Sequence, residues 1–201
     1  MKDYEGFTIH PKKIITPVCR ASFVKLLKPE PSFNGEPKYS VSLIFPPEAD
    51  MTVLEEAVAL AMKEEWGDKP PANLKLPIKD GNERKKNPEY WGKLYVNVNN
   101  KRRPQIGERI NGAFVEITEP EKVYSGMWVR VTLEAYAFDK QVNKGVSFSL
   151  GNVMKVRDDE FLDGRTTGEQ DFCIDGLDDS ESASYGRENA PQDDDVESLF
   201  A

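Results

Sequence analysis

The stretch YSGMWVRVTLEAYAFD, residues 124–139, constrains the fold more than any other part of the chain. In a β-strand, successive side chains point to opposite faces. One parity here is Met127, Val129, Val131, Leu133, Ala135 and Ala137, wholly apolar, so it faces a core. The other parity is Trp128, Arg130, Thr132, Glu134, Tyr136 and Phe138. Burying that face would strand two charges without partners, which is costly. Leaving it open wastes three aromatics unless something stacks on them. Aromatics with a cation among them, on the open side of a sheet, suit unpaired nucleic-acid bases. The competing expectation is that a helix or a neighbouring strand covers this face.

The rest of the chain supplies more strands and one helix. Residues 14–27, IITPVCRASFVKLL, are rich in β-branched and aromatic residues and predict a strand with a ragged start at Pro17. KPEPSFNGEP is turn chemistry, and in KYSVSLIF, residues 38–45, Tyr39, Val41, Leu43 and Phe45 alternate with polar residues. Together they predict a long hairpin. Residues 50–66 predict the one helix: Met51, Leu54, Val58, Ala61 and Met62 recur at three- and four-residue steps. Asp50 can cap it and Gly67 can end it. Residues 67–92 read as a long irregular loop carrying six cations, then Tyr90 and Trp91. In KLYVNVNN, residues 93–100, Leu94, Val96 and Val98 face inward, and Lys93, Tyr95, Asn97 and Asn99 outward. KRRPQIGERING is a basic loop holding Lys101, Arg102, Arg103 and Arg109. Residues 113–117 are a short strand, and residues 146–157 pair with the long strand through a turn at Asn143 and Gly145.

Charge divides the chain. Residues 1–157 hold 25 Lys and Arg against 20 Asp and Glu; residues 158–201 hold 2 against 15. A mildly basic body therefore precedes a strongly acidic end, and the net charge of −8 describes neither. From about residue 167 the sequence is rich in Asp, Glu, Ser, Gly and Gln and is expected to stay disordered. It ends in DDDVESLFA. No apolar run approaches the roughly 20 residues of a membrane span. The start, MKDYEGFTIHPKK, has no signal-peptide core, so a cytoplasmic location is expected. Cys19 and Cys173 support no disulfide framework.

Catalytic chemistry leaves little trace. The single histidine, His10, reads as a surface residue, and no CxxC, HxxxH, GxSxG or phosphate-binding loop occurs, so no metal or cofactor is expected. Asp158, Asp159, Glu160 and Asp163 can be imagined as a magnesium site of a nuclease. Such sites use carboxylates converging from separate elements, and a contiguous run is more often solvated charge. Binding fares better. Tyr95, Trp128, Tyr136 and Phe138 lie opposite apolar faces with basic loops beside them, and nucleic acid needs flat apolar partners for bases and cations for phosphates.

Five stretches also resemble a bacteriophage single-stranded-DNA-binding protein family, formerly grouped as a domain of unknown function. They are FNGEPKYSVSLIFP, PANLKLPIKDG, YVNVNNKRRPQI, ITEPEKVYSGMWVRV and KGVSFSLGNVMKVRD. They cover most of residues 32–158, and YSGMW and the RRP turn are the most specific. The resemblance implies an oligonucleotide/oligosaccharide-binding (OB) barrel that coats unwound DNA in phage replication or recombination. The acidic end is similar to the tails of bacterial and phage single-strand binders, which finish in aspartates and a phenylalanine. Here no proline precedes Phe200 and Ala201 follows it.

The expectation is a mainly-β OB-fold: a Greek-key five-stranded barrel with additional strands and one α-helix over residues 1–165, then a disordered acidic tail over 166–201. Its function is non-catalytic, largely sequence-independent coating of single-stranded DNA in the cytoplasm of an infected bacterium. Bases are expected on Tyr95, Trp128, Tyr136 and Phe138, and phosphates on Lys93, Lys101, Arg102, Arg103 and Arg130. Replication or recombination proteins are expected at Asp193, Asp194, Asp195, Leu199 and Phe200. A homo-oligomer on DNA is compatible with this. The alternatives are a metal-dependent nuclease or recombination enzyme, and a peptide-binding module.

Overall fold

The computed structural model describes residues 3–32, 35–140, 143–162 and 164. Five strands close a barrel: β3 (Cys19–Pro31), β4 (Pro37–Phe45), β6 (Leu94–Asn100), β9 (Trp128–Lys140) and β10 (Asn143–Arg157). β3 pairs antiparallel with β4, and β4 with β6. β6 meets β10 in parallel at Asn99 and Ser149. β10 pairs antiparallel with β9, and β9 returns to β3 at Val129 and Cys19. Counted along the barrel, the order is first, second, third, fifth, fourth and back to the first, an OB-type Greek key.

The apolar parities fill the interior. Val129, Val131, Leu133 and Ala135 of the long strand, with Met127 just before it, are buried with Val41, Leu43, Val96, Val98, Phe148 and Leu150. Each large side chain contributes about 1.5–3 kcal/mol by leaving water. Cys19 is in this core, and burial pushes its thiol up to about 12, so it is an inert filler. Helix α1 (Thr52–Trp66) packs on β9 and β10 through Leu54, Ala57, Val58 and Ala61. Asp50 accepts the Thr52 N–H at 2.9 Å, and Gly67, at φ 61°, ends the helix. The helix follows the second barrel strand, as the sequence indicates.

Extra strands extend the barrel wall. β1 (Phe7–His10) and β2 (Lys13–Ile15) form a hairpin on β9, and β5 (Ile78–Asp80) lies beside β6. β7 (Ile106–Ile110) runs parallel to β10 and carries β8 (Ala113–Glu116). Several sequence expectations change, among them the irregular loop expected over residues 67–92, which holds β5 and two short 3-10 turns. The strand expected over residues 14–27 is two strands, because Thr16, Pro17 and Val18 turn the chain between partners on β9. Part of the basic loop at residues 101–112 is β7, a short strand that is buried at Ile106 and Gly107 and exposed at Arg109 and Ile110, and whose sequence IGERI shows no alternation to reveal it. The acidic tail and its residues Asp193, Asp194, Asp195, Leu199 and Phe200 lie outside the described residues. Among the described residues no helix is long and apolar enough to cross a membrane.

Candidate nucleic-acid interface

The outer face of β3, β4 and β6 carries a groove of about 330 Å³. Its floor is Ser40, Ser42, Asn97 and Asn99, the outward parities of β4 and β6. Its wall is Phe23, whose ring is 49% exposed. A bulge in β3 between Ser22 and Lys25 puts Phe23 at φ 49° and turns it outward, although its parity matches buried Cys19 and Ala21. Non-glycine residues held at positive φ are costly and concentrate at functional sites.

Arg84 enters the groove from residues 81–91. Its guanidinium lies 4.5 Å from the ring centres of both Tyr90 and Tyr95 and 5.5 Å from that of Phe23. Tyr90 and Tyr95 meet edge to face at 5.1 Å and pack with Ile44 beneath it. The Arg84 carbonyl accepts the Trp91 Nε1–H at 3.1 Å, which fixes an indole that is 52% exposed. The segment can fold this tightly because of Gly81, where a β-carbon would stand 2.0 Å from the Tyr90 carbonyl oxygen. Lys25 lines the groove, and Lys85 and Lys86 are exposed beside Arg84 in sequence. Flat rings, cations and a polar floor can hold bases by stacking and phosphates by charge.

A model of the Enterobacter phage Enc34 ssDNA-binding protein family matches residues 12–183. The chain belongs to this family. One curated relative, protein p50 of Acyrthosiphon pisum secondary endosymbiont phage 1, is 30% identical over 168 residues, which cover 76% of this chain and 88% of that protein. Among solved structures, the single-stranded DNA-binding protein from bacteriophage Enc34 in complex with ssDNA is 25% identical, with a TM-score of 0.67. That match covers 80% of this chain and 94% of the other. The gp2.5 single-stranded DNA-binding protein of bacteriophage T7 is 16% identical with a TM-score of 0.51, over 78% of this chain and 97% of that one. The last likeness concerns the fold alone.

The structure divides the residues expected to form this family member's site. Tyr95 is on the outward parity, yet it is 5% exposed because Tyr90 and Arg84 cover it. It supports the groove from below and offers no face to a base. Arg130 is 3% exposed and is not on an open face. The N-terminal segment covers it, and it donates to the Glu5 and Thr16 carbonyls at 2.8 and 2.9 Å. Burial lowers its pKa. The aromatic row on β9 is therefore broken. Trp128 and Tyr136 stand eight residues apart, about 27 Å along a strand. Trp128 is half-buried under Arg157 and donates to Asp159 at 2.6 Å. Tyr136 is 45% exposed and Phe138 half-buried.

The basic loop is at the surface. Arg102 and Arg103 line a second groove of about 310 Å³ with Lys13, Thr132 and Glu134. Lys101 pairs with Glu36 at 2.6 Å, and Lys93 donates to the Glu89 carbonyl at 2.9 Å. Two members of the acidic run at the domain's end have structural partners. Asp158 pairs with Lys155 at 2.7 Å and accepts from the Tyr124 hydroxyl, and its carboxyl is held below the ordinary range first by Lys155. Asp159 meets Arg20 and Trp128. Among the described residues no group of three or more His, Cys, Asp or Glu is placed to hold a metal. Phe23 and Arg84 are the site residues that parity missed. A bulge leaves no periodic mark in sequence, and Arg84 sat unremarkably among other loop cations; only its neighbours Tyr90 and Trp91 hinted at a built surface.

Proposed function

We propose that the chain coats single-stranded DNA, largely independently of sequence and without catalysis, during phage DNA replication and recombination. The observation that carries this reading is the exposed pair Phe23 and Trp91 flanking Arg84 on the β3–β4–β6 face. OB-folds bind oligonucleotides on the face of their second and third strands. Membership of the family and likeness to an Enc34 protein bound to ssDNA support the same polymer. Bases stack on Phe23 and Trp91. Beyond Asn99 the strand continues towards Lys101, Arg102 and Arg103, with Tyr136, Phe138 and Trp128 as outlying platforms. The protein acts in the cytoplasm of the infected cell, and copies line up along the strand.

The acidic end completes the reading. A tethered polyanion is at high effective concentration near the basic body and competes with DNA. Asp193, Asp194 and Asp195, with Leu199 and Phe200, dock on replication or recombination proteins. Deleting residues 166–201 tightens strand binding at low salt and changes it less at high salt, where charge is screened over about 10 Å. No tightening at low salt removes the competitor role. The function itself is tested by titrating tryptophan fluorescence with an oligothymidine at several salt concentrations, with and without magnesium. Saturable binding that weakens with salt and leaves the strand intact is expected. Cleavage with magnesium indicates an enzyme, and absence of binding overturns the proposal.

A further inference from the structure

The groove floor holds one amide whose orientation is chemically determined. Asn97 Oδ1 accepts from the buried Ser42 hydroxyl and, at 3.2 Å, from Arg84 Nη2. Arg84 has donors only, so the atom facing it must be the amide oxygen. Arg84 is itself held between the rings of Tyr90 and Tyr95, and Ser42 is the cross-strand neighbour of Asn97. Both clamps are therefore fixed by the fold. With the oxygen doubly occupied, the two N–H bonds of Asn97 lie on the other side of the group, on an exposed residue beside Phe23.

We infer that Asn97 reads base edges: its clamped amide donates to the keto oxygen of a base stacked on Phe23 and so favours thymine over adenine. This rests on the proposed function and adds a modest preference to sequence-independent coating. Thymine presents O4 as an acceptor, whereas adenine places the N6 amine, a donor, beside N7. The groove is lined by the donors of Asn97, Arg84 and Lys25, the last paired with Glu30, and, among the described residues, by no carboxylate. Thymine satisfies such donors; adenine sets its amine against them. Stacking alone carries no such discrimination, because every base has a π-face.

The experiment compares affinities for thymidine and adenosine oligodeoxynucleotides of equal length, in the full chain and in Asn97→Asp and Asn97→Ala. Homopolymers put the same base at the site in every register. Asn97→Asp keeps acceptors for Ser42 and Arg84 but loses both donors; its added charge weakens both strands alike and cancels in the ratio. The self-stacking of adenosine strands cancels too, because it is the same for every protein. The thymidine-to-adenosine affinity ratio should fall by about two- to tenfold in both variants, the size of one ordinary hydrogen bond; Asn97→Asp should melt near the parent, whereas Asn97→Ala should melt lower because the buried Ser42 hydroxyl loses its acceptor. A ratio unmoved in variants that bind both strands overturns the role of Asn97 and leaves the proposed function standing. A parent chain that binds neither strand removes the function, and this inference with it.

Discussion

Replacing Phe23 by glycine separates strand binding from barrel stability. Phe23 stands at φ 49°, a region that costs a residue with a β-carbon about 1–2 kcal/mol. Glycine relieves that cost. Against the gain, the ring is 49% exposed, so roughly half of the 1.5–3 kcal/mol of full burial is lost. The freer glycine chain costs about 0.5–1 kcal/mol more. These opposing contributions cancel to within about 1 kcal/mol, or about 2–4 °C in melting temperature at this chain size. Binding has no such compensation. Losing one stacked base costs about 1–3 kcal/mol, which is about five- to 150-fold in Kd. Thermal unfolding followed by circular dichroism and a fluorescence titration with oligothymidine measure the two effects on the same sample. The expected result is a weakened Kd with a nearly unchanged melting temperature. A melting temperature lower by ten degrees or so with an unchanged Kd would show that Phe23 packs and does not bind.

Three other outcomes follow from named contacts. Arg102→Gln with Arg103→Gln should flatten the dependence of log K on log salt by about 1.4, at roughly 0.7 per lost phosphate contact; a lower affinity with the original slope would place both arginines off the phosphate path. Arg130→Met should cost about 1–3 kcal/mol in urea unfolding, because it strips a partner from the buried Thr16 carbonyl and another from the half-buried Glu5 carbonyl; its salt slope for DNA should stay that of the parent, and a flattened slope would return Arg130 to the interface. Asp158 has a lowered folded pKa, so its stabilisation is present above the unfolded value near 3.9 and is lost as pH falls through the lower folded one. Asp158→Asn should therefore melt below the parent at pH 7, by about 1 kcal/mol or less given its exposure, and the gap should close in acid; a gap constant with pH would exclude the ion pair with Lys155 as its cause.

Alternation made the barrel interior legible, because a period of two assigns inward residues without knowledge of strand partners. Val129, Val131, Leu133, Val96, Val98 and Phe148 all lie where their parity puts them. The outward faces were less legible, because parity says which side a residue takes and nothing about what lies on top. Tyr95 and Arg130 have the right parity and are buried all the same, Tyr95 by the irregular segment just before it and Arg130 by the N-terminal segment more than a hundred residues away. Phe23 shows the converse, since a single bulge inverted its face. The order of the strands was invisible as well. It depends on the parallel meeting of Asn99 with Ser149, fifty residues apart, and no local pattern encodes that. The most specific motif of the family resemblance, YSGMW, has a structural role here. Tyr124 donates to Asp158, and Gly126, at φ 126°, lets the Glu160 carbonyl come within 2.1 Å of where a β-carbon would stand.

The barrel's closure has a consequence for how the protein is made. β9 and β10 form one hairpin, yet they join opposite margins of the β3–β4–β6 sheet: β9 bonds to β3 and β10 to β6. A chain emerging from the ribosome therefore carries a three-stranded sheet with two open margins until Arg157 has been synthesised. At about 5–20 residues per second, the stretch from Asn100 to Arg157 takes several seconds. Throughout that time the apolar faces of β3, β4 and β6 have no lid, and their margins can recruit another nascent chain. Closure of the barrel thus waits until Arg157 has left the ribosome. A message cut short before that hairpin yields material for chaperones and proteases, never a half-active competitor for the strand.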